Sequence, residues 1–454
     1  MNQTVQKIYN KVGITSHRTK NITKHITISF IYKGGSIVSS FLLVPLTIKF
    51  LDTENYGVWL TLSSFIAWFS FFDIGLGNGL RNKFAEAKAK GDLTLAKAYV
   101  SSAYFTIGSV CLFLILVFFG LNFFIDWTRV FNTKSTLYHE LAILMPIVFS
   151  FFCLQLVVKL ITTIYTADQH HSMQGKINFY SSALSLLSIW LLTQYAKSSL
   201  LVFGAIFSVL PVLMLVGLNF FAFSNRYKEY SPSFNLWKNI YLKDIFGLGL
   251  KFFILQMSAM ILFSTDNIII TQIFGPKEVV PYNIAFKYIN ISNMIFSMIL
   301  TPYWSTITEA YTKGDYDWIK TSMKNLFKIS MVLIFVIILM VVVSPLIYRI
   351  WIGKDVIIPL SLTIYMGIFF SLSIFYLPYN FFINGVGKVK LQMYFIVIAA
   401  IVNIPLSIFL AKNLGLGVGG VILGTTLCSL PHLLFCPIQY YKIINKRAYG
   451  IWNK

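Results

Sequence analysis

Charge is what this 454-residue chain has little of: Asp, Glu, Lys and Arg together make up 12% of it, about half the share of a soluble domain. With 57% of residues hydrophobic and 17% aromatic, there is too little polar surface for a water-solvated globule. Acids are scarcest, 16 against 37 Lys and Arg, giving a formal net charge of +21. Only four cysteines occur, Cys111, Cys153, Cys428 and Cys436, each inside an apolar run with no CxxC or histidine spacing. That excludes a disulfide scaffold and a thiolate metal site and leaves apolar packing as their role. His170 and His171 are adjacent, which is not ligand spacing, and they fall in a loop. No catalytic constellation, cofactor site or metal site is legible, so an enzyme is not the expectation.

What is there is apolar sequence in lengths that cross a bilayer. Twelve such stretches are predicted, at 26–49, 55–80, 98–124, 139–165, 175–196, 198–222, 244–270, 280–304, 325–350, 357–383, 388–411 and 417–441. The fold class expected is therefore an all-α integral membrane protein. The first 25 residues are basic but have no apolar core or small-residue cleavage site, as expected of a retained cytoplasmic tail.

The positions of the bases decide what the charge is for. With the N-terminus inside, 25 Lys and Arg fall on the cytoplasmic side, 8 outside and 4 within spans. "RNKFAEAKAKGD", "NRYKEYSPSFNLWKNIYLKD", "GKVK" and "KIINKR" are all inside, whereas "KFLDTENYG" and "FGPKEVV" are outer turns. This is the positive-inside pattern and places both termini in the cytoplasm. A nucleic-acid partner is not expected, since it requires bases gathered on one surface among aromatics.

The stretch "FFDIGLGNGLRNKFAEAKAKGD", Phe71–Asp92, changes from lipid-soluble to water-soluble halfway. Its first part reads as the inner end of span two, and its second as a short helix along the inner surface with lysines facing anionic lipid. Glu86, Ala87, Lys90, Gly91 and Asp92 recur as Glu309, Ala310, Lys313, Gly314 and Asp315, after the second span of each half. "FLDTENYG" has a looser partner in "IFGPKEVVPYN", and Gly175–Lys176 pairs with Gly387–Lys388. Six spans separate the copies, so both enter the membrane in the same sense: two parallel six-helix repeats around a central cleft. The expected divisions are a 1–25 tail, a 26–223 lobe, a 224–243 cytoplasmic linker, a 244–441 lobe and a 442–454 tail.

The segment "LLVPLTIKFLDTENYGVWLTLSSFIAWFSFFDIGLGNGLRNKFAEAKAKGD" resembles the polysaccharide transporters, the O-antigen and capsule repeat-unit flippases, of the multidrug/oligosaccharidyl-lipid/polysaccharide exporter superfamily. Pro45, Tyr56, Gly57, Asp73, Gly75 and Gly77 carry the likeness, and "FFINGVGKVKLQ" is similar to that family's turn between helices ten and eleven. The resemblance implies a MATE-like exporter fold in a bacterial inner membrane. It also implies a lipid-linked oligosaccharide as substrate, specifically an undecaprenyl-pyrophosphate-linked repeat unit, and polymerase and chain-length proteins of the same pathway as partners.

Charges inside spans cost about 2.5 to 3.5 kcal/mol each even on the lenient insertion scale, so they are expected to face a cavity or a partner. Lys33 and Lys251 each lie seven residues inside the first helix of a lobe, roughly 10 Å deep at about 1.5 Å per residue, where a pyrophosphate clamp or a snorkelling side chain would sit. Lys159 and Lys287 are further cavity candidates. Asp73, Asp266 and Asn267 are candidates for coupling to a proton or sodium gradient, or for structural hydrogen bonds. Two imitations are discounted: "GLGVGG" at Gly415–Gly420 joins two spans with no strand before it, and "DYD" at Asp315–Asp317 has no soluble domain around it. Rival functions are a drug/cation antiporter, which would prefer acidic cavity residues, and a membrane polymerase or ligase, which would need a larger outer loop than 124–139.

Overall fold

The computed structural model describes residues 17–69, 76–168, 170, 172–242, 257, 264–354 and 356–453. Asp73 and Lys251 lie outside them, as does most of the predicted seventh span. Among the described residues every element is helical. Where water is absent, the backbone must satisfy its own N–H and C=O groups, and long apolar runs therefore close into helices. The first half gives α1 (His17–Ala67), α2 (Leu76–Ala89), α3 (Leu93–Asn122), the single turn α4 (Trp127–Val130), α5 (Tyr138–Val158), α6 (Leu160–Ala167), α7 (Ser172–Tyr195) and α8 (Leu200–Ser224). The second half gives α9 (Asp266–Phe274), α10 (Val279–Lys313), α11 (Tyr316–Trp351), α12 (Leu360–Val386), α13 (Lys390–Ile408) and α14 (Val418–Ile444). Nine helical segments among the described residues are long and apolar enough to cross a membrane, so the chain is a multi-pass membrane protein.

Predicted spans one and two share α1, which bends at Asp52. Its φ of 67° and ψ of 173° lie in a region essentially confined to glycine. Asp52 tolerates it by turning its carboxylate onto the next turn, accepting from Asn55 N at 2.9 Å and Asn55 Nδ2 at 2.8 Å. In the second half the same corner is a glycine, Gly275, with φ 90° and ψ 163°, 223 positions later. The offset holds at the next junction. Gly91 and Gly314 both cap helices with φ near +75°. In each case the glycine N–H bonds three residues back and the following Asp N–H five residues back. Asp92 and Asp315 then cap α3 and α11 by accepting from Leu95 N and Trp318 N. The recurring Lys-Gly-Asp is thus a left-handed stop followed by an N-cap start.

The third sequence pairing does not hold. Gly175 is helical inside α7, whereas Gly387 is the left-handed C-cap of α12 with φ 74°. By the starts of their helices, Ser172 of α7 corresponds to Lys390 of α13, so the shared Gly-Lys is coincidental. The intervening α5–α6 unit is interrupted at Lys159, where Thr162 N bonds the Lys159 carbonyl and leaves that of Val158 free. Asn219 of α8 takes it up through Nδ2 at 2.7 Å and accepts from Tyr104 Oη at 2.6 Å.

The chain forms two compact units. One comprises 1–51, 72–125 and 139–250; the other comprises 52–71, 126–138 and 251–454. In the second unit the loop 126–138 is a strap. Trp127 and Phe131 pack on Phe65 of α1. Asn132 donates to the carbonyl of Thr271 at 3.0 Å, Gln272 donates to that of Val130 at 2.6 Å, and Lys134 pairs with Glu54 at 2.8 Å. Beside it the two corners meet, for a Cβ on Gly57 would stand 1.8 Å from the Pro276 carbonyl oxygen. The Gly415–Gly420 run serves close packing as well, since Gly420 lies against the backbone of Leu410 and Ala411.

Gly57→Ala has no side chain that can yield, because the obstacle is backbone. It is expected to destabilise the fold by about 2 kcal/mol or more, read as a lowered melting temperature of detergent-purified protein; an unchanged melt would show that the corners do not touch.

Candidate functional site

A polar ladder runs through the second unit. Thr61 and Ser64 are one turn apart on α1, and Thr271 and Asn267 one turn apart on α9, so the pairs meet across antiparallel helices. Thr61 Oγ1 and Thr271 Oγ1 lie 2.5 Å apart, and Asn267 Nδ2 donates to Ser64 Oγ at 2.8 Å. On its other side Asn267 accepts from Asn283 Nδ2 of α10 at 2.8 Å, while the neighbouring Tyr282 hydroxyl donates to Asp266 Oδ2. Asp266 is 4% exposed. The Thr425 hydroxyl of α14 faces it but points toward the Val421 carbonyl, 3.4 Å away, while accepting from Asn403 Nδ2 of α13 at 2.9 Å. Five helical segments are thereby joined in one polar network around Asp266.

Two acceptors in this cluster, Asp266 Oδ1 and Asn403 Oδ1, are buried without a hydrogen-bond partner. A buried acceptor left unmet costs on the order of 1–3 kcal/mol. A proton on Asp266 would remove its need for a second donor. Among the described residues no group of three or more His, Cys, Asp or Glu could hold a metal ion.

Next to this cluster, Ile268 and Gln272 of α9 form one wall of an open cavity of about 420 Å³, with Phe65, Trp68, Arg129, Val130 and Phe131 as the rest. Trp68 Nε1 is buried there without a partner. Aromatic faces with an indole donor and a guanidinium suit a sugar ring or its anionic substituents.

The residues singled out from sequence are distributed unevenly. Lys33 lies exposed on α1, and Lys159 lies exposed at the α5–α6 break. Lys287 is half-buried on α10, one turn beyond Asn283. Lys251 and Asp73, the other two residues singled out, fall outside the described residues. Asp266 and Asn267 are brought together with partners that sequence reading missed: Ser64, Tyr282, Asn283, Asn403 and Thr425. Their signal was polar residues at one-turn spacing inside otherwise apolar helices.

A second cluster, also missed, lies in the first unit just beyond α6. Asp168 accepts from Lys88 of α2, from Tyr227 Oη at 2.9 Å and from Arg226 at 3.1 Å. Tyr165 packs edge-on against Tyr227. Burial pushes the Asp168 carboxyl up, but Lys88, Tyr227 and Arg226 together outweigh it and hold the group below its usual 3.8. Three segments distant in sequence are pinned here by one acid.

Helices that stop at matching corners 223 positions apart in the two halves form a tandem repeat, an arrangement found in membrane transporters. The comparisons agree. The sequence profile of the family described as "polysaccharide biosynthesis protein" matches residues 22–308, and that of MatE matches 252–409. The first match covers more than half of the chain, which belongs to the polysaccharide biosynthesis protein family. A Yersinia pseudotuberculosis protein named for O-antigen export is 22% identical over 387 residues, covering 81% of this chain and 85% of its own. A Salmonella typhimurium protein named as an O-antigen transporter is 23% identical over 408 residues, 88% of this chain and 91% of its own. Among solved structures, an inward-facing multidrug resistance MATE family transporter superposes with TM-score 0.72 at 14% identity, covering 93% of this chain and all of its own. An outward-facing one gives 0.65 at 14% identity over 94% and 97%. At that identity they establish the fold, which is MATE-like and all-helical as expected.

Asp168→Ala is expected to cost about 1–3 kcal/mol by stranding Lys88 and Arg226. Because the folded carboxyl is held low, its contribution is complete above the unfolded value of 3.8 and fades as pH falls through the lowered folded value. Melting curves of wild type and variant should therefore converge in acid, and a constant difference would remove the ion cluster from the explanation.

Proposed function

We propose that this protein is a flippase that moves undecaprenyl-pyrophosphate-linked oligosaccharide repeat units across the bacterial plasma membrane by alternating access. The observation that carries this reading is membership of the polysaccharide biosynthesis family, together with relatives named for O-antigen export that align over more than four-fifths of the chain. The chemistry is consistent with it. A lipid tail stays in the bilayer, while sugars and pyrophosphate need a polar route because unmet hydrogen bonds and charge are costly in hydrocarbon. The protein acts as a transporter, not an enzyme: the substrate leaves unchanged, and the cluster at Asp266 holds a proton or ion rather than a reacting bond. Both termini face the cytoplasm by the placement of the bases, and the two repeats, divided at 224–243, are the moving lobes. Lys33 and Lys251 are assigned to the pyrophosphate, Lys159 and Lys287 to secondary contacts with it. Asp73 is assigned a helix-end structural role. Asp266, with Asn267 as its neighbour, is the coupling site for a proton or sodium gradient. Polymerase and chain-length proteins of the pathway receive the product.

A drug/cation antiporter is the second reading, favoured by the MatE match over 252–409 and by the buried acid. Deleting the gene in its host separates the two: lipid-linked repeat units should accumulate facing the cytoplasm, and an intact surface polysaccharide would favour the antiporter. Lys33→Ala and Lys251→Ala should each abolish assembly at normal protein level, with Arg restoring part of it. Full assembly in both Ala variants would remove the clamp. Asp266→Asn should flatten the dependence of transport on the ion gradient, and an unaltered dependence would move coupling elsewhere.

A further inference from the structure

α14 carries Thr425, Ser429, His432, Cys436 and Gln439 at alternating steps of four and three, which puts them on one stripe of the helix. All five are buried. Over those residues the stripe rises about 21 Å, with successive polar groups roughly 4.5 to 6 Å apart, a gap that one bridging water spans. At one end Thr425 faces Asp266. At the other, Gln439 donates to the carbonyls of Lys388 and Trp452 at 2.9 and 3.1 Å. Just past that end come Lys442, Lys446 and Arg447.

The neighbouring helix matches it. On α12, Ser373, Tyr376 and Asn380 form a facing stripe: Ser373 Oγ lies 3.3 Å from Tyr376 Oη, and Cys436 Sγ donates to Asn380 Oδ1 at 3.0 Å. The Tyr376 ring lies 5.4 Å from the imidazole of His432. Hydrogen-bonding capacity along this line is left unused. Asp266 Oδ1, Asn403 Oδ1, His432 Nδ1 and Gln439 Oε1 are all buried acceptors or potential donors without a well-formed bond, although the Ser429 carbonyl stands near the imidazole. Ser429 Oγ is met within the helix by the Thr425 carbonyl at 2.8 Å, but His432 and Gln439 each keep an unmet group, which costs free energy in a dry interior and which packing alone does not require.

We propose that this stripe is a proton path between Asp266 and the basic end of α14, with His432 as its relay. It rests on the reading of Asp266 as the coupling site and adds the route by which that site exchanges its proton. Imidazole suits the relay because one ring nitrogen accepts a proton from a water or hydroxyl on one side while the other releases one on the far side. Nothing is consumed. The ring is 6% exposed. The titratable groups packed around it are Tyr376 of α12 and Cys436 of its own helix, with α13 contributing Phe395 stacked on Phe435.

The test follows the Asp266 carboxyl by infrared spectroscopy on the full chain in lipid nanodiscs, with no substrate. Its protonated C=O band is identified by its loss in Asp266→Asn, and hydrogen–deuterium exchange into it is timed after mixing with D2O. His432→Gln keeps a polar side chain that cannot carry a proton, and it should slow that exchange by at least ~10-fold, with added imidazole restoring part of the rate. Gln439→Leu removes the acceptor that would hold a bridging water at the far end of the row, so it should slow the exchange too, and it carries the test if the His432 variant does not fold. An unchanged rate in the folded variants overturns the path while leaving Asp266 as the coupling site. A spectrum with no band that depends on Asp266 at any pH overturns both.

Discussion

The structure turns on one constraint: in hydrocarbon, a polar group can be satisfied only by the protein itself. The Asp266–Tyr282 bond is where this constraint is most demanding. A carboxylate far from water needs donors, and Tyr282, Asn283, Ser64 and Thr425, on three further stretches of chain, join the neighbouring Asn267 in supplying or framing them. Removing any one strand of this arrangement exposes another group to the same penalty, so the helices are held in register by what they cannot leave unpaired. Between lipid tails and leucines there is little hydrophobic preference, and such bonds with small-residue contacts specify which helix lies beside which. The second unit shows both devices together, the ladder from Thr61 to Thr271 and the backbone contact of Gly57 on Pro276.

The same constraint explains the corners. Asp52 and Gly275 hold one backbone conformation with different chemistry. Glycine adopts it without a Cβ penalty, and aspartate compensates by capping the next turn through Asn55. At Lys159 the interruption is paid back differently, for the carbonyl freed at Val158 is met by Asn219 from another helix. At Asp52 and at Val158 the departure from regular helix is thus accompanied by a specific side chain aimed at the backbone group beside it.

Much of this was legible in the sequence. Apolar length alone placed α3, α8, α12 and α14 to within a few residues, because membrane thickness fixes how much apolar chain a crossing needs. The Lys-Gly-Asp repeat was readable because left-handed caps and N-caps demand particular residues. The Gly175–Gly387 pairing misled because a Gly-Lys dipeptide carries no conformational requirement of its own. The candidate site was legible only in part. Asp266 stands out in "FSTDNIII" as an acid amid aliphatics, whereas Ser64, Asn403 and Thr425 are ordinary polar residues whose meaning comes from contacts with other helices, 203 positions away in the case of Ser64. Asp168 was invisible for the same reason: its partners Lys88, Arg226 and Tyr227 come from segments that sequence proximity does not connect.

The rungs of the ladder join residues 203 and 210 positions apart in the chain. At synthesis rates of about 5–20 residues per second, helix α1 is made some 10 to 40 s before α9 leaves the ribosome. During that interval Thr61 and Ser64 sit at membrane depth with only the helix's own carbonyls of Gly57 and Leu60 for company. Biogenesis of this protein therefore includes a waiting period in which half of an internal interface is held open, and a membrane insertase or chaperone that shelters polar helix faces would act at that point of the chain.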